Sequence, residues 1–458
     1  MSPRKQNPNP ASGPVEPSTA DMMSMAEEAL ETAMHAGAEW CDVSVARTSD
    51  VDVEVENGSI KSMETASTCG FTVRAYIQGA QGVASATGFE RKDLPAAARS
   101  AVDMAKAAQS DPDFRALPSP SHGQDVEGLY DDRIAGMQPA EAVDIAVRNI
   151  ADAKRVEPKV IISGGVGFDA SHGVLASSTG VRLEKRGTSI HVGFFSIVKR
   201  GDDAGSFYDF DMARMFDDLK PFEPGRVATE QALRFLGARK VATRHMAVVL
   251  GPLASFSFLR DLAGSTNAES IQRRRSFMVG RLGTQVASPL VTLADDGLIP
   301  RGIFSGHHDG EGAPRRRVTL FEDGVFRSCL HNSYTAGKAG EPNTGHGGRT
   351  GGIGPTNLVV QLGEKTAEEI IADTDEGVYI NMGSIAPDPA SGDISASVDF
   401  GFKIEKGKLA YPVVNTMVSG HVFEFLKNLD AVSSDYREEP GNKLPTIRIR
   451  DVQVAGSK

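Results

Sequence analysis

Cysteine is nearly absent from this sequence. Cys41, Cys69 and Cys329 are the only three in 458 residues, too few and too scattered for a disulfide framework or a zinc knuckle, which need paired or clustered thiols. A reducing compartment fits that usage. Long apolar runs are missing too. The longest, Met246 to Leu259, is interrupted by Gly251-Pro252, whereas a bilayer-spanning helix needs about 20 apolar residues in a row. The N-terminus carries no apolar signal core, so the expectation is a cytoplasmic protein with no membrane partner. Basic charge is not in excess: the formal net charge is −11. A nucleic-acid surface rests on clustered Lys and Arg, and no nucleic-acid partner is expected. The triplets Arg273-Arg274-Arg275 and Arg315-Arg316-Arg317 read as solvated or salt-bridged turns. No period of about 20–50 residues repeats, which argues against a solenoid.

What is present describes a soluble α+β chain of two or three domains, with 40% hydrophobic and 24% charged residues. Residues 1–20 are proline-rich and almost without apolar side chains, so a disordered tail is expected. Residues 21–239 read as an N-terminal α+β region of helices and antiparallel strands. Met22, Met25, Ala26, Ala29, Leu30, Ala33 and Met34 stripe a first helix that Ser18 or Asp21 can cap. Cys41, Val43, Val45 and then Val51, Val53, Val55 alternate as strands do, and Asn57-Gly58 is a hairpin signal. Phe71 to Ile77 follows as a strand closed by Gly79 and Gly82. An alanine-rich helix begins at Asp93-Leu94-Pro95. The Pro-, Ser- and Asp-rich stretch 111–136 reads as an exposed connection that would divide the region into two subdomains. A helix over Pro139–Arg155 with Val143, Ala146, Val147, Ile150 and Ala151 on one face, strands over Val160–Val198 and a helix over Pro221–Arg239 complete it. Residues 240–458 form a C-terminal domain expected to be mostly antiparallel β, with short strands over Ser288–Leu293 and Val318–Leu320. Glu322-Asp323-Gly324 and Glu405-Lys406-Gly407 are its hairpin turns, Thr366-Ala367-Glu368-Glu369 a capping box, and Ile447–Val454 a closing strand.

The C-terminal half opens on an unbroken apolar segment, Met246 to Leu250, that suits a strand buried on both faces. Gly251-Pro252 stops it, and Phe256, Leu259, Leu262 and Ala263 recur at helical spacing. Arg260, Asp261 and Ser265 lie on this helix, and those residue types make a poor metal site. Glycine is densest over Gly337–Gly354. The stretch matches neither Gly-x-x-x-x-Gly-Lys-Ser/Thr nor Gly-x-Gly-x-x-Gly. It is either a mobile connection or backbone kept bare so that an extended peptide can approach, with Gly345, His346, Gly347, Gly348 and Arg349 as the candidate contacts. His307, His308, Asp309 and Glu311 form a polar cluster, but adjacent histidines on a strand face opposite ways and Asp309-Gly310 is a turn signal. His331 and His346 read as single loop or core histidines. No Gly-x-Ser-x-Gly elbow occurs, although a Ser/His/Asp site assembled only in space stays open.

The strand, Gly251-Pro252 turn and helix resemble the corresponding unit of the TldD/PmbA family, which includes metallopeptidases. So do Glu54-Val55-Glu56-Asn57-Gly58, Gly70-Phe71-Thr72-Val73-Arg74-Ala75 and Gly82-Val83-Ala84-Ser85 in the N-terminal part. Asp309-Gly310-Glu311-Gly312, Arg275-Ser276-Phe277, Gly280-Arg281-Leu282-Gly283, Asp295-Asp296-Gly297 and the Thr- and Gly-rich loop extend the likeness over residues 22–456. In the metal-bearing members the helix carries His-Glu-x-x-x-His. On that pattern Arg260 stands at the first His, Asp261 at the Glu and Ser265 at the second His. A ligand cysteine near the C-terminus is also missing, because no cysteine follows Cys329. The resemblance is therefore to the metal-free PmbA/TldE branch.

That resemblance implies the metal-free subunit of a cytosolic two-subunit metallopeptidase that degrades or processes unfolded peptides. The chain would hold no cofactor and no catalytic or metal-ligating residue. A TldD-type partner would supply the metal, zinc or similar, and this chain would supply chamber wall, interface and substrate contacts. Two alternatives stand beside it: an independent hydrolase using His307, His346 and Asp309, and a non-catalytic binding or scaffold protein.

Overall fold

The first helix begins where its cap is. Ser18 accepts from the Asp21 amide while the Asp21 carboxylate accepts from the Ser18 amide, a reciprocal capping box that starts the helix Thr19–His35. Thr19 and Ala20, placed in the tail by composition, are thus its first turn. The computed structural model describes residues 17–88 and 90–456, so the rest of the expected tail, 1–16, lies outside the described residues.

The chain forms two compact units. One takes the described residues up to Arg47, with Cys69–Ser110 and His172–Lys185; the other takes Thr48–Thr68, Asp111–Ser171 and Arg186 onward. In the first unit Met22, Ala26, Ala29, Leu30 and Ala33 of the first helix are buried with Cys41, Val43, Val45, Phe71, Val73 and the helix Leu94–Ala107. The strand through Phe71 ends at Ile77 before a turn at Gly79, as expected, but Gly82, also read as closing it, lies inside the next strand, Ala80–Thr87. A Cβ there would stand 1.9 Å from the Ala101 carbonyl oxygen, so the glycine admits the helix backbone onto the strand. At the centre of this unit Arg74 and Asp42 are buried together, with Nη2 2.5 Å from Oδ2.

The strands of the N-terminal region are longer than their sequence signals. Trp40–Glu56 and Ser59–Ile77 are continuous and meet at Asn57-Gly58, both with positive φ. The segment 160–198, expected as several short strands, is two long ones, Ile161–Ser177 and Arg182–Arg200. With Ala80–Thr87 and Asp203–Ala213 these make a six-stranded sheet. In the second unit, Pro139–Val156 buries Ala142, Ile145, Ala146, Asn149, Ile150 and Ala153. Of the expected face, Ala146 and Ile150 are buried and Val143 is half-buried, but Val147 and Ala151 are exposed. The polar residue that turns the helix this way is satisfied: Asn149 donates to the Ile145 and Pro221 carbonyls and accepts from the Gly225 amide.

The C-terminal part is built on an eight-stranded sheet. Its strand Arg244–Leu250, with Val248, Val249 and Leu250 fully buried, lies between Asn442–Gly456, antiparallel, and Glu376–Met382, parallel. Gly251 then caps the helix Pro252–Ser265, which has Pro at its first turn. A smaller sheet orders Val325–Phe326, Arg317–Glu322, Leu293–Asp296 and Leu358–Val360 side by side. The strand expected at Ser288–Leu293 is shifted to Leu293–Asp296, which matters below because it carries Asp295. The Asp323-Gly324 and Lys406-Gly407 turns have positive φ as hairpins require, and Thr366 caps Ala367–Ala372 with Glu369. The architecture is the expected mixed α+β, with mostly antiparallel sheets. No helix among the described residues is long and apolar enough to cross a membrane.

Removing one partner of the Asp42–Arg74 pair strands a buried charge. Asp42→Ala is expected to destabilise the protein by about 3–5 kcal/mol, read as a lower urea midpoint. A shift below about 1 kcal/mol would mean that water reaches Arg74.

Candidate functional site

The helix Pro252–Ser265 brings Arg260 to the end of the glycine-rich loop. Its Nη1 donates to the Thr356 carbonyl at 3.2 Å and Nη2 reaches the Pro355 carbonyl at 3.4 Å, while the guanidinium lies 4.7 Å from the centre of the Phe304 ring. Burial pulls the Arg260 pKa down, and the charges of Asp295 and Asp261 oppose that. Burial pushes the Asp261 carboxyl up, against the pull of Arg260. Ser265 is buried, and its hydroxyl donates to the Leu262 carbonyl of its own helix at 2.6 Å. A catalytic zinc needs three protein ligands with lone pairs facing one point. A guanidinium has none to give, the serine is turned onto its own backbone, and a single carboxylate is left. This donor set does not fit a zinc centre. Among the described residues no three or more His, Cys, Asp or Glu stand where they could hold one ion.

Asp295, on the strand Leu293–Asp296, is fully buried and organises the loop. Oδ1 accepts from His346 Nε2 at 2.7 Å and from the Thr356 hydroxyl, and Oδ2 accepts from the Thr356 amide at 2.5 Å. The carboxylate thus fastens both ends of residues 346–356. Between them the loop turns back on itself. Gly347 bridges Ile353, and the Gly348 amide donates to the Gly352 carbonyl at 2.6 Å. Asn332 and Asn267 bind the Gly351 and Ile353 carbonyls from outside. The loop is thus pinned at both ends and across its middle.

The residues of the polar cluster bond different segments, and Asp309 reaches the loop. His307 Nδ1 meets the Gln124 carbonyl and His308 Nε2 the Ser121 carbonyl. Asp309 accepts from the Glu311, Ala313 and Gly347 amides, and Glu311 accepts from the Ser333 amide. His346 pairs with Asp295, and its Nδ1 is 3.0 Å from Thr344 Oγ1. That hydroxyl donates to the His331 carbonyl and accepts from the His331 amide. With the imidazole fully buried and the hydroxyl held from both sides, His307, Asp309 and His346 do not converge as a triad.

Beside the loop lies a pocket of about 530 Å³, walled by Arg214, Phe304, Arg315, Gly352, Gly354 and Thr356 among others. Gly345 and Gly347 are packed inward: a Cβ on Gly347 would stand 2.8 Å from the Glu311 carboxylate. Gly352 and Gly354 face open space, with nothing within 4 Å of a Cβ. Gly348 has the Gly352 carbonyl oxygen 3.1 Å from its Cβ position, and Arg349 is half-buried. Sequence reasoning missed Arg214, Arg315 and the pairing role of Asp295. Arg315 sits in a triplet read as a solvated or salt-bridged turn, yet it is half-buried and donates to the Gly345 carbonyl at 2.9 Å. Its neighbour Arg317 does pair with Asp296, at 3.2 Å. Asp295-Asp296-Gly297 was the available signal for the acid, but nothing in the local sequence marks which aspartate turns inward.

A two-unit α+β chain with a strand–Gly-Pro–helix unit beside a pinned glycine loop matches one class, the metallopeptidase-related fold. Family models of PmbA/TldA metallopeptidase domain 1, central domain and C-terminal domain match residues 41–105, 132–236 and 243–456. The chain belongs to the PmbA/TldD family. Metalloprotease PmbA of Escherichia coli O157:H7 is 24% identical, covering 94% of this chain and 96% of that protein. A PmbA homologue of Haemophilus influenzae is 25% identical over 97% of this chain and 100% of its own length. The crystal structure of TldE from Thermococcus kodakarensis superposes with a TM-score of 0.85 at 23% identity, covering 94% of this chain and 99% of that one.

Two outcomes follow from the packing. Gly347→Ala must displace the Glu311 carboxylate and is expected to cost about 1–3 kcal/mol, whereas Gly352→Ala stays within about 0.5 kcal/mol; thermal melts of the two variants compare them, and equal losses would contradict the inward and outward assignment. Burial, with a smaller push from Glu341, raises the Cys329 thiol to about 11. At pH 8 roughly one part in a thousand is thiolate, so mass spectrometry should find Cys329 unlabelled by iodoacetamide in the folded protein and labelled after denaturation. Rapid labelling in the native state would place the thiol in contact with solvent.

Proposed function

We propose that this chain is the metal-free subunit of a two-subunit cytosolic metallopeptidase acting on unfolded peptides, providing chamber wall, subunit interface and substrate contacts while a TldD-type partner holds the metal. The observation that carries this reading is the environment of Arg260. A half-buried guanidinium, beside Phe304 and tied to the Pro355 and Thr356 carbonyls, occupies the helix position where the family resemblance puts a histidine ligand. Such a charge repels a dication and cannot be deprotonated to accept one. The same contacts give Arg260 a different task, holding the end of the glycine loop beside the pocket. The relatives named metalloprotease support the reaction class, and the similarity to a TldE supports the branch.

The test combines metal content, association and activity. Chelator-washed protein is expected to retain no stoichiometric zinc and to cleave no fluorogenic peptide alone, and Arg260→Ala is expected to change neither result. Affinity purification from its own cells followed by mass spectrometry should recover a relative carrying His-Glu-x-x-x-His, and mixing the two should produce peptidase activity. One tightly held zinc per chain, or partner-free activity abolished by Arg260→Ala, would overturn the proposal in favour of an independent hydrolase.

A further inference from the structure

The pocket beside the glycine loop is cationic in a protein of net charge −11. Arg214 and Arg315 wall it, and Arg260 sits behind Phe304, Pro355 and Thr356, which also line it. Arg214 donates Nη1 to the Leu129 carbonyl at 3.1 Å and Nη2 to the Ile303 carbonyl at 2.8 Å, so neutral oxygens hold it in place. Arg315 is held the same way by the Gly345 carbonyl. None of the three makes an ion pair with a described carboxylate, and no acidic residue lines the pocket. The acids whose charge reaches these arginines are bonded elsewhere: Asp169, near Arg214, accepts from the Ser189 hydroxyl; Asp309, near Arg315, accepts from backbone amides; and Asp295, near Arg315 and Arg260, accepts from His346 and Thr356.

Two further observations point outward to a ligand. Nε of Arg214 and Nε of Arg315 are buried donors with no hydrogen-bond partner, and burial lowers the pKa of both guanidiniums. A buried donor left unmade is costly, more so when it is charged. In the same pocket Gly352 and Gly354 present bare backbone to open space, which suits close approach by another main chain. Planar guanidiniums held by carbonyls are preorganised for a carboxylate.

We infer that this pocket is a receptor for a carboxylate carried by an extended peptide, either its C-terminus or an acidic side chain, with Arg214 and Arg315 as the anion contacts and the Gly352–Gly354 backbone beside the peptide chain. The inference deepens the substrate-contact role proposed above, yet it concerns this chain alone and is tested without a partner or a metal.

The probe is a fluorescein-labelled unstructured hexapeptide, followed by anisotropy with the full chain at low salt. Three forms separate the carboxylate sources: a free C-terminus with no acidic residue, a C-terminal amide with no acidic residue, and a C-terminal amide with one internal Glu. At least one acid-bearing form is expected to bind about tenfold more tightly than the neutral amide, as a charged hydrogen-bonded contact warrants. Arg315→Gln should remove that difference. Because Arg315 also supports Gly345, Gly352→Glu is the second variant: it adds a carboxylate in open space, should keep the wild-type melting temperature, and should abolish the preference. Equal binding of acid and amide forms, absence of peptide binding, or an acid preference that survives Gly352→Glu would each overturn the inference. Full displacement by inorganic phosphate at the peptide's own dissociation constant would overturn it too, since the site would then read a free anion. A failure here leaves the zinc and co-purification results of the metal-free-subunit proposal standing.

Discussion

The candidate site depends on the buried Asp295 carboxylate. Its two oxygens accept from an imidazole, a hydroxyl and a backbone amide, and those donors come from the two ends of residues 346–356. A carboxylate taken out of water is tolerated only when such partners replace the lost hydration. The pairing therefore fixes the loop and the acid together. It also fixes the strand Leu293–Asp296 against Leu358–Val360, since the register Leu358↔Asp295 places the acid opposite the chain that continues from Thr356.

From this constraint the rest of the local arrangement follows. With the loop closed on Asp295, Gly347 is pressed inward against Asp309 and Glu311, and the outward turn leaves Gly352 and Gly354 exposed. The Pro355 and Thr356 carbonyls then face the helix, where Arg260 meets them. The acidic residues of the region are consumed as supports: Asp295 for the loop ends, Asp309 for its own turn and Gly347, Glu311 for the helix Ser333–Ala339. The arginines, held by neutral carbonyls, are left facing the pocket. On the proposed reading, Arg260 serves to set the loop, and the surface so created meets substrate.

Much of the fold was legible from local signals. The unbroken Met246–Leu250 segment, the Gly251-Pro252 stop and the helical spacing after it locate the strand and helix, because these are backbone preferences that tertiary contacts do not reverse. Turns with Asn57-Gly58, Asp323-Gly324 and Lys406-Gly407 were readable for the same reason. Strand lengths were not, since Gly82 looks like a terminator until the helix Leu94–Ala107 is seen resting on it. The helix face of Pro139–Val156 was read only in part, through Ala146 and Ile150, because its buried Asn149 is satisfied by the Pro221 carbonyl and the Gly225 amide, far along the chain. The site was half legible. Arg260, Asp261 and Ser265 are visible through the family pattern and the glycine loop through composition, but its anchoring needs Asp295, and Arg214 and Arg315 are drawn together only by the tertiary fold.

If the pinned loop and its arginine-walled pocket form the substrate-facing surface of a chain that itself holds no metal, peptide must lie within reach of residue 352. Photo-cross-linking tests this most directly. A p-benzoylphenylalanine is placed at 352, where space is open, and at exposed Met63 as a control. Each variant is then mixed with a TldD-type chain and an unfolded peptide substrate. The account predicts a peptide adduct from position 352, lost on competition with unlabelled acidic peptide, and none from position 63. Labelling of both positions alike, or of neither in a mixture that turns peptide over, would contradict it.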